Sequence, residues 1–396
     1  MARPTSRRSL RFDNLEDRQL LSSGGPTSQQ QYMLQLINMA RTTPQVAAQW
    51  IGKNLPTEVK NTLEHYKVDV EAVKRTIANS TPLPPVAWNE ELAGAAQKHS
   101  RDMADNQFQS HTGSDGSSPE DRIKDAGYKA DSSAENAFAY ANSVDNAMQA
   151  FLYDWGVADA GHRRNLLQPG VDAAKSFSDV GVGIVKTGER PVKGRIGPVV
   201  ITQKFAREAN DSASSAKLVG VVYSDDDGSK FYTPGEGDGG VQIDATDLET
   251  GRTQSTRTWN SGGYELALAP GRYRVAASRN NILIKETTIN MGTVNVAQDF
   301  VLSEPWDGRN LASAAPAAPA APAAPEKPSA PEKPAPKPEP VRIKAADTTV
   351  KATDKTEADW KKVSAAVSAT AAKAPRINAN YRPPMADWTT WKANSR

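Results

Sequence analysis

Apolar residues first recur with a helical period just after residue 27. Ser28 and Gln31 have the spacing of a capping box, so a helix is expected to begin there. The apolar positions that follow at intervals of three and four residues are Met33, Leu36, Ile37 and Ala40. A break is expected at Pro44, because proline ends a helix or opens the first turn of a new one.

A second strong helix is predicted after Asn89, a good N-cap followed by Glu90 and Glu91, since negative charge is favoured in a first turn. One face of this helix carries Leu92, Ala96, His99 and Met103. Weaker patterns predict helices near 56–79 and at 145–157, and strands at 180–185 and 198–205. Helices and strands in one block of this kind predict helices packed on an antiparallel sheet, an α+β fold.

The pattern changes at residue 217, where short alternating runs replace the helical period. Gly-Gly pairs at 239–240 and 262–263 and the Pro270-Gly271 pair separate some of these runs. The predicted strands are 218–223, 241–245, 264–268, 273–276, 282–288 and 294–302. Many short strands with turn residues between them predict a small β-sandwich over residues 217–303.

The two ends of the chain lack such patterns. Residues 1–27 are expected to be a disordered, targeting-like segment: basic residues are present, but no apolar stretch follows them as in an ordinary secretory signal. Prolines recur every three residues from Pro316 to Pro334, which predicts a semi-rigid polyproline linker over 311–345. The tail, 346–396, is expected to be largely disordered, with a short helix near 357–373 as the alternative for part of it.

Composition excludes several classes of function. Among 396 residues, 48 Lys and Arg against 46 Asp and Glu give a net charge of +2, so no overall field attracts nucleic acid. No apolar run approaches the length of a transmembrane helix. The absence of cysteine excludes disulfides, thiolate metal sites and a cysteine nucleophile.

Four histidines are present, and their surroundings differ. His65 lies in a polar stretch and is expected to be solvated, while His99 lies on an apolar helix face and is expected to be buried. His111 and His162 lie beside glycines in predicted loops. Loops on a rigid scaffold often carry function, so these two are the better site candidates.

Eight blocks of sequence then resemble the CAP family, the cysteine-rich secretory, antigen-five and pathogenesis-related proteins, also called SCP domains. In family order they are LINMAR (36–41), LPPVAWNEEL (83–92), HTGSDG (111–116), DRI with AGY (121–128), EN (135–136), GHRRNLL (161–167), GVGI (181–184) and TQKF (202–205). The resemblance covers residues 28–208 and implies an α–β–α sandwich.

The same resemblance implies a cleft with two histidines and two acids. The resemblance implies that the histidines are His111 and His162 and that the first acid is Glu135. The second acid is Asp154, at a position where the family usually has the longer glutamate. Such a set suits zinc or another divalent metal, or a metal-free network in which carboxylates hold the imidazoles. Three uses stay open: ligand or metal binding, hydrolysis of a peptide or envelope polymer by a metal-bound water with Glu135 as base, and a purely structural role.

Residues 217–303 resemble the B-type (Cna-B or Sdr-like) β-sandwich repeats of bacterial surface adhesins. Within them, residues 225–236 have the oxygen spacing of a calcium loop, with Lys230 where such loops have glycine. The expected ligands are Asp225, Asp227, Ser229, the backbone of Phe231, Thr233 and Glu236. The alternative is an acidic turn held by its own side chains.

Residues 12–22 resemble the LExRxLLS segment near the start of exported surface proteins of planctomycete-type bacteria. Together, these features predict an extracellular or cell-surface protein that binds an extracellular or envelope ligand: a lipid, a polymer or a protein.

Overall fold

A computed structural model describes residues 24–53, 55–188, 196–209 and 216–302. The LExRxLLS-like segment, the proline-rich linker and the tail lie outside these residues. The described helices are α1 (Ser28–Thr42), α2 (Pro44–Trp50), α3 (Thr57–His65), α4 (Val70–Ala78), α5 (Glu90–Asn106), α6 (Pro119–Asp125), α7 (Val144–Tyr153) and α8 (Gly161–Leu167), with a 3₁₀ turn at Ala173–Lys175.

The starts of α1 and α5 follow from local capping. The helix α1 begins at Ser28 as predicted, but the capping box is formed by Thr27 and Gln30, so its predicted position was one residue too late. The N-cap of α5 is confirmed, because Asn89 Oδ1 accepts a hydrogen bond from the backbone N–H of Leu92 at 2.9 Å. The helix α7 ends at Tyr153, four residues before the predicted end.

Four strands form the first sheet: β1 (Ala87–Trp88), β2 (Ala130–Ala141), β3 (Asp179–Lys186) and β4 (Val199–Glu208). Their order is β1-β3-β4-β2, with β1 parallel to β3 and the other pairs antiparallel. The strand β2 was not predicted, although it carries a candidate site residue. Its small and polar residues lack the alternation that predicts a strand.

Helices cover both faces of this sheet. On one face, Thr202 of β4 accepts a hydrogen bond from Ser100 of α5 at 2.8 Å. On the other, the neighbouring Gln203 reaches Met33 of α1, with its Nε2 3.1 Å from the sulfur. Successive residues of one strand therefore face different helical layers, and the predicted α–β–α sandwich is confirmed.

Two glycines of β3 let α5 lie directly on the sheet. A Cβ at Gly181 would be 2.0 Å from the backbone N of Ala93, and one at Gly183 would be 2.3 Å from the carbonyl carbon of Ala96. Neither distance is compatible with a side chain. The close packing of α5, which places the loop after it, therefore depends on these two positions.

The outer edge of β3 is closed by a side chain. Gln97 of α5 accepts a hydrogen bond from the N–H of Ile184 at 2.9 Å and donates one to its carbonyl oxygen at 3.1 Å. One amide side chain thus makes the two hydrogen bonds that a neighbouring strand would make, which satisfies an otherwise open edge.

The second region contains eight strands: β5 (Lys217–Ser224), β6 (Gln242–Asp247), β7 (Thr253–Arg257), β8 (Gly263–Ala267), β9 (Gly271–Arg279), β10 (Ile282–Met291), β11 (Val296–Ala297) and β12 (Phe300–Leu302). One sheet has the order β10-β9-β6-β7, and in the other β5 pairs with β8, β11 and β12. Apolar residues of both sheets, such as Leu218, Ile243 and Val275, form one buried cluster. The predicted β-rich second region is confirmed, and β7 is an additional strand.

The two regions share a seam. Val221, Tyr223 and Tyr232 of the β-rich region belong to the same buried apolar cluster as the residues of α1. Asn295 donates hydrogen bonds across the seam to the carbonyl oxygens of Pro85, at 3.1 Å, and Ser178, at 2.8 Å. The contact is therefore both apolar and specifically hydrogen-bonded.

The replacement Gly181→Ala should lower the free energy of unfolding by about 1–3 kcal/mol or more, because its Cβ overlaps the backbone of α5. The matched control is Gly94→Ala, on the open side of α5, where nothing lies within 4 Å of the new Cβ. That change should raise the free energy by up to about 1 kcal/mol through helix propensity. Urea denaturation measures both, and equal effects would contradict the proposed close packing.

Candidate functional site

The four residues expected in the cleft lie on four different elements. His111 follows α5 in a loop, Glu135 is central in β2, Asp154 caps the end of α7, and His162 lies in the first turn of α8. Each histidine meets one acid. The distance from His111 Nδ1 to Glu135 Oε1 is 2.7 Å, and that from His162 Nδ1 to Asp154 Oδ1 is also 2.7 Å.

The two pairs are tied together by asparagine side chains. Asn136 Nδ2 donates to the carbonyl oxygen of His162 at 3.2 Å. Asn165 of α8 donates to the carbonyl oxygen of Glu135 at 3.2 Å and to Asn136 Oδ1 at 2.9 Å. The strand β2 and the helix α8 are therefore held in register, and the two histidine–carboxylate pairs belong to one network.

The second pair depends on two turns in the left-handed region. Asp154 has φ +56° and ends α7, and its Oδ2 accepts a hydrogen bond from the N–H of Arg163 at 2.9 Å. Ala160, just before α8, has φ +52°. A non-glycine residue in this region costs about 1–2 kcal/mol. The fold holds this short segment in a strained form that brings Asp154 against His162.

Glu135 is also bound by two cations that were not among the predicted site residues. Lys204 Nζ lies 2.6 Å from Oε2, and Arg122 Nη2 lies 3.0 Å from the same oxygen. The side chain of Glu135 is 2% exposed and that of Lys204 is fully buried. Arg122 also donates to the carbonyl oxygen of His111 at 2.7 Å, so it positions the histidine loop as well as the acid.

This environment fixes the charge of Glu135. Burial alone would raise its pKa, but the hydrogen bond from His111 and the positive charge of Lys204 outweigh burial and hold the pKa well below its usual range. Burial in turn lowers the pKa of Lys204, and the charge of Glu135 opposes that change. Glu135 is therefore an ionised carboxylate enclosed by cationic partners.

His99 is the third imidazole near Glu135. It is buried, as predicted, and its Nε2 lies 2.8 Å from the carbonyl oxygen of Ser110 and 3.7 Å from Glu135 Oε1. Its contact with Ser110 holds the residue before His111. Lys204 is the one charged residue in the run VVITQKFA, and a lone charge in such a run could have indicated a buried ion pair. The sequence neighbours of Arg122 and His99 carry no such indication of their roles.

These contacts bear on whether the cleft fits a metal. Each carboxylate is hydrogen-bonded to an Nδ1 atom, so a metal bound in the cleft would contact the Nε2 atoms of His111 and His162. The two acids would then orient the imidazoles and would not be ligands themselves. Catalytic zinc sites have three protein ligands and structural ones have four. Because Glu135 is already neutralised by Lys204 and Arg122, the four residues do not fit a zinc centre in which all of them are ligands.

The loop at 225–236 has a different donor set. Within the part of the chain that the structure describes, it is here that three acidic or histidine side chains bring ligand atoms within 4.8 Å of one another: Asp225, Asp227 and Glu236. Ser229 Oγ donates to the carbonyl oxygen of Phe231 at 2.7 Å, and Thr233 Oγ1 lies 3.4 Å from Asp227 Oδ2. The predicted ligands therefore lie in one hydrogen-bonded loop.

Lys230 occupies the position where glycine was expected. Its φ is +61°, the left-handed conformation that glycine adopts most easily, and its N–H donates to both carboxylate oxygens of Asp225, at 3.1 and 3.2 Å. The side chain is unusual, but the backbone takes the turn that the loop requires.

Replacing Glu135 with Gln should lower the free energy of unfolding by about 3–5 kcal/mol, because Lys204 and Arg122 lose a buried counter-charge. Adding Lys204→Met should cause a smaller further loss than Lys204→Met causes in the unmodified chain. The exposed Glu64→Gln is the control and should change stability by no more than about 0.5 kcal/mol.

The pH dependence has a definite sign. Since the folded pKa of Glu135 is lowered, its stabilisation is present above the unfolded value of about 4.3 and is lost as the pH falls further. Acidification from pH 5 should therefore destabilise the unmodified protein more than Glu135→Gln. Parallel losses in urea titrations of the two proteins would contradict this assignment.

A comparison with protein families supports the resemblance to the CAP family that the sequence blocks of the first region indicate. The sequence model of the cysteine-rich secretory protein family, CAP, matches residues 34–205. No curated protein matches the chain significantly. No helix in the described ranges is long and apolar enough to cross a membrane.

Two solved structures are similar to part of the chain. An extracellular protein containing an SCP domain from Bacillus anthracis is 26% identical, with 38% of this chain and 41% of that one covered and a TM-score of 0.25. This chain thus spans less than half of that protein. An outer surface protein from Borrelia burgdorferi is 16% identical, with 38% and 95% covered and a TM-score of 0.25. Residues 34–205 of this chain therefore match the CAP domain, the domain of the cysteine-rich secretory protein family.

Proposed function

We propose that this is an exported protein whose CAP cleft recognises an extracellular or envelope ligand through His111 and His162, without a metal bound by all four cleft residues. The observation that carries the proposal is the pair of 2.7 Å contacts in which a buried carboxylate holds Nδ1 of each imidazole. The two contacts are linked by Asn136 and Asn165 and therefore form one prepared site.

Holding Nδ1 determines how each ring meets a ligand. A carboxylate on Nδ1 fixes the ring orientation and directs ligand contacts to Nε2, which accepts a hydrogen bond when the ring is neutral and donates one when it is protonated. The side chain of His111 is 28% exposed and that of His162 is 11% exposed. Both rings are thus fixed from the protein side and reachable from the solvent side.

The charge of Glu135 argues against the hydrolase alternative. A general base works best when its pKa lies near the working pH. The pKa of Glu135 is held well below its usual range, and Lys204 and Arg122 occupy its second oxygen. Ligand recognition requires only that the imidazoles be oriented. Hydrolysis would also require a base that takes a proton from water, and Glu135 is poorly suited to that role.

Zinc provides a direct test. In calorimetry on the full chain, we expect no zinc binding tighter than about 10 µM that depends on His111 and His162. The comparison uses the unmodified protein, His111→Ala/His162→Ala and the exposed control His65→Ala. Tight binding that is lost only in the double variant would contradict the proposal and favour the alternative of a metal-dependent hydrolase.

The ligand itself is sought with two probes, purified peptidoglycan and phosphatidylglycerol vesicles. Sedimentation with either one should fall in the double histidine variant and stay unchanged in His65→Ala. Equal sedimentation of all three proteins would favour a structural role for the cleft. Recovery of the native protein in the cytoplasmic fraction would contradict the proposed export.

A second proposal concerns the β-rich region: its 225–236 loop binds calcium. Three converging carboxylates and nearby hydroxyl and carbonyl oxygens are the hard ligands that calcium prefers. Glu236, the last of them, is buried and already holds the loop, with Oε1 accepting from the N–H of Asp226 at 3.1 Å and Oε2 from that of Thr233 at 2.7 Å. A cation would offset the repulsion among the three charges.

The loop also touches the CAP domain. The rings of Phe231 and Tyr32 of α1 meet edge-to-face with centroids 6.1 Å apart. Tyr232 is buried, and its hydroxyl donates to the carbonyl oxygen of Ser28 at 3.4 Å. Calcium in this loop would therefore stiffen the seam between the two regions as well as the loop.

Calcium at millimolar concentration should raise the melting temperature of the full chain, and Asp225→Asn/Asp227→Asn should abolish the rise. These variants keep side-chain oxygens for the backbone N–H groups but lose charge. The matched control is Asp226→Asn, an exposed acid of the same loop that is outside the converging set, and it should keep the rise. No calcium effect in the unmodified protein would eliminate the site.

A further inference from the structure

Arg41, in the last turn of α1, is a buried cation whose charge is not balanced by an acid. The residue is 1% exposed. Burial lowers its pKa to about 9, and among the described residues no carboxylate opposes that change. The guanidinium is therefore still charged at neutral pH. Because a buried charge is costly unless it is well hydrogen-bonded, its partners must be fixed in place.

Neutral oxygen atoms stabilise this charge. The Nε atom of Arg41 donates to the carbonyl oxygen of Pro84 at 3.0 Å, and Nη2 donates to that of Phe177 at 3.0 Å. The Nη1 atom donates to the carbonyl oxygen of Leu166 at 3.0 Å and to Gln168 Oε1 at 3.1 Å. Two of these hydrogen bonds therefore reach the C-terminal end of α8.

The helix α8 depends on contacts from outside at this end. It has seven residues, and a helix so short is not stable through its own hydrogen bonds. The flanking residues Ala160 and Gln168 are both left-handed, with φ +52° and +37°. Carbonyl oxygens in the last turn of a helix lack partners within the helix, and the helix dipole favours a cation there. Arg41 provides a donor for Leu166 and a positive charge at the same place.

The other end of α8 carries His162. Leu166 follows His162 by one helical turn and lies on the same face. At the His162 end, Asp154 holds Nδ1 at 2.7 Å and Asn136 donates to the backbone carbonyl oxygen at 3.2 Å. If α8 were released at Leu166, it could tilt about its first turn, and the contact of His162 with Asp154 would no longer be fixed.

We propose that Arg41 is a positioning residue of the cleft, which fixes the C-terminal end of α8 and thereby sets the orientation of the His162 imidazole. Arg41 is not one of the four predicted cleft residues and acts on the cleft through α8. This role rests on the proposed function, in which His162 contacts the ligand through Nε2.

The shape of the side chain matters here as well as its charge. A guanidinium is planar and holds five N–H donors in fixed directions, which suits the four acceptors around Arg41. A lysine ammonium carries the same charge but has three donors at a single point. The replacement Arg41→Lys therefore keeps the charge and loses the anchoring of α8.

The first test follows imidazole N–H signals of the full-length protein by NMR. The signals of His162 and His111 are identified by their loss in His162→Ala and His111→Ala. In Arg41→Lys, the Nδ1 proton of His162 should exchange with water about tenfold faster or more, because α8 opens locally more often, while that of His111 keeps its rate. An unchanged rate at His162, or equal acceleration at both histidines, would overturn the proposal.

The matched control is Asn38→Ala, three residues earlier in α1. Asn38 is also buried, and it hydrogen-bonds the N–H of Val86 at 2.8 Å and the carbonyl oxygen of Val86 at 3.1 Å. Its loss should destabilise the protein without releasing α8. Below the midpoint of unfolding, the exchange rate at His162 should therefore stay unchanged in this variant, which is also the result that a merely structural role predicts for Arg41→Lys.

A second variant keeps the test decisive if Arg41→Lys does not fold. The replacement Gln168→Met removes one acceptor at the end of α8 and leaves Arg41 in place. It should accelerate exchange at His162 in the same direction and by a smaller factor. An unchanged rate in Gln168→Met would also overturn the proposal.

Ligand binding separates this role from the proposed function. Sedimentation with peptidoglycan or with phosphatidylglycerol vesicles should fall in Arg41→Lys, as in the double histidine variant, and stay unchanged in Asn38→Ala. Full sedimentation of Arg41→Lys beside a loss in the double histidine variant would overturn the positioning role. If the unmodified protein sediments with neither probe, recognition of these ligands fails, and the imidazole signals alone decide the role of Arg41.

Discussion

A buried carboxylate that must be neutralised organises the CAP half of this molecule. Glu135 is nearly inaccessible, and its charge is balanced by Lys204 on the neighbouring strand, Arg122 on α6 and His111 in the loop after α5. A charge of this kind is costly to bury unless its partners are fixed. The sheet, a helix and a loop are therefore held to one geometry. The cleft is rigid because the fold requires this charge to be enclosed.

That constraint also divides the chemistry between two places. In the cleft, the carboxylates hydrogen-bond the imidazoles. The side chains of Lys204 and Arg122 already occupy the position that a metal ion would take beside Glu135. In the 225–236 loop, three carboxylates face one another and Lys230 lies in the backbone turn. The proposed recognition by imidazole nitrogens and the proposed cation binding by oxygen ligands would then lie in different regions. The seam is where the two meet, since the loop packs on α1 through Phe231.

Local features were predictable from the sequence and non-local ones were not. The starts of α1 and α5 and the three-layer fold followed from caps, periodicity and family blocks, because those signals act within a few residues. The strand β2 escaped notice because its residues are small and polar and its pairing with β4 spans about 70 positions. The cleft pairs followed from the resemblance, but the roles of Lys204 and Arg122 depend on contacts across 69 and 13 residues. The seam has no local pattern, since each side is supplied by a different region.

The strand order of the β-rich region has a mechanical consequence. The chain enters this region on β5 and leaves it on β12, and these neighbours run parallel, with Phe300 opposite Val222. A tension applied between the CAP domain and the segment after Leu302 would slide the two strands past each other along their length. All of their hydrogen bonds would then carry the load together, instead of breaking one at a time as in peeling. For a protein tethered by its far end, this arrangement would transmit force to the CAP domain without opening the region in between.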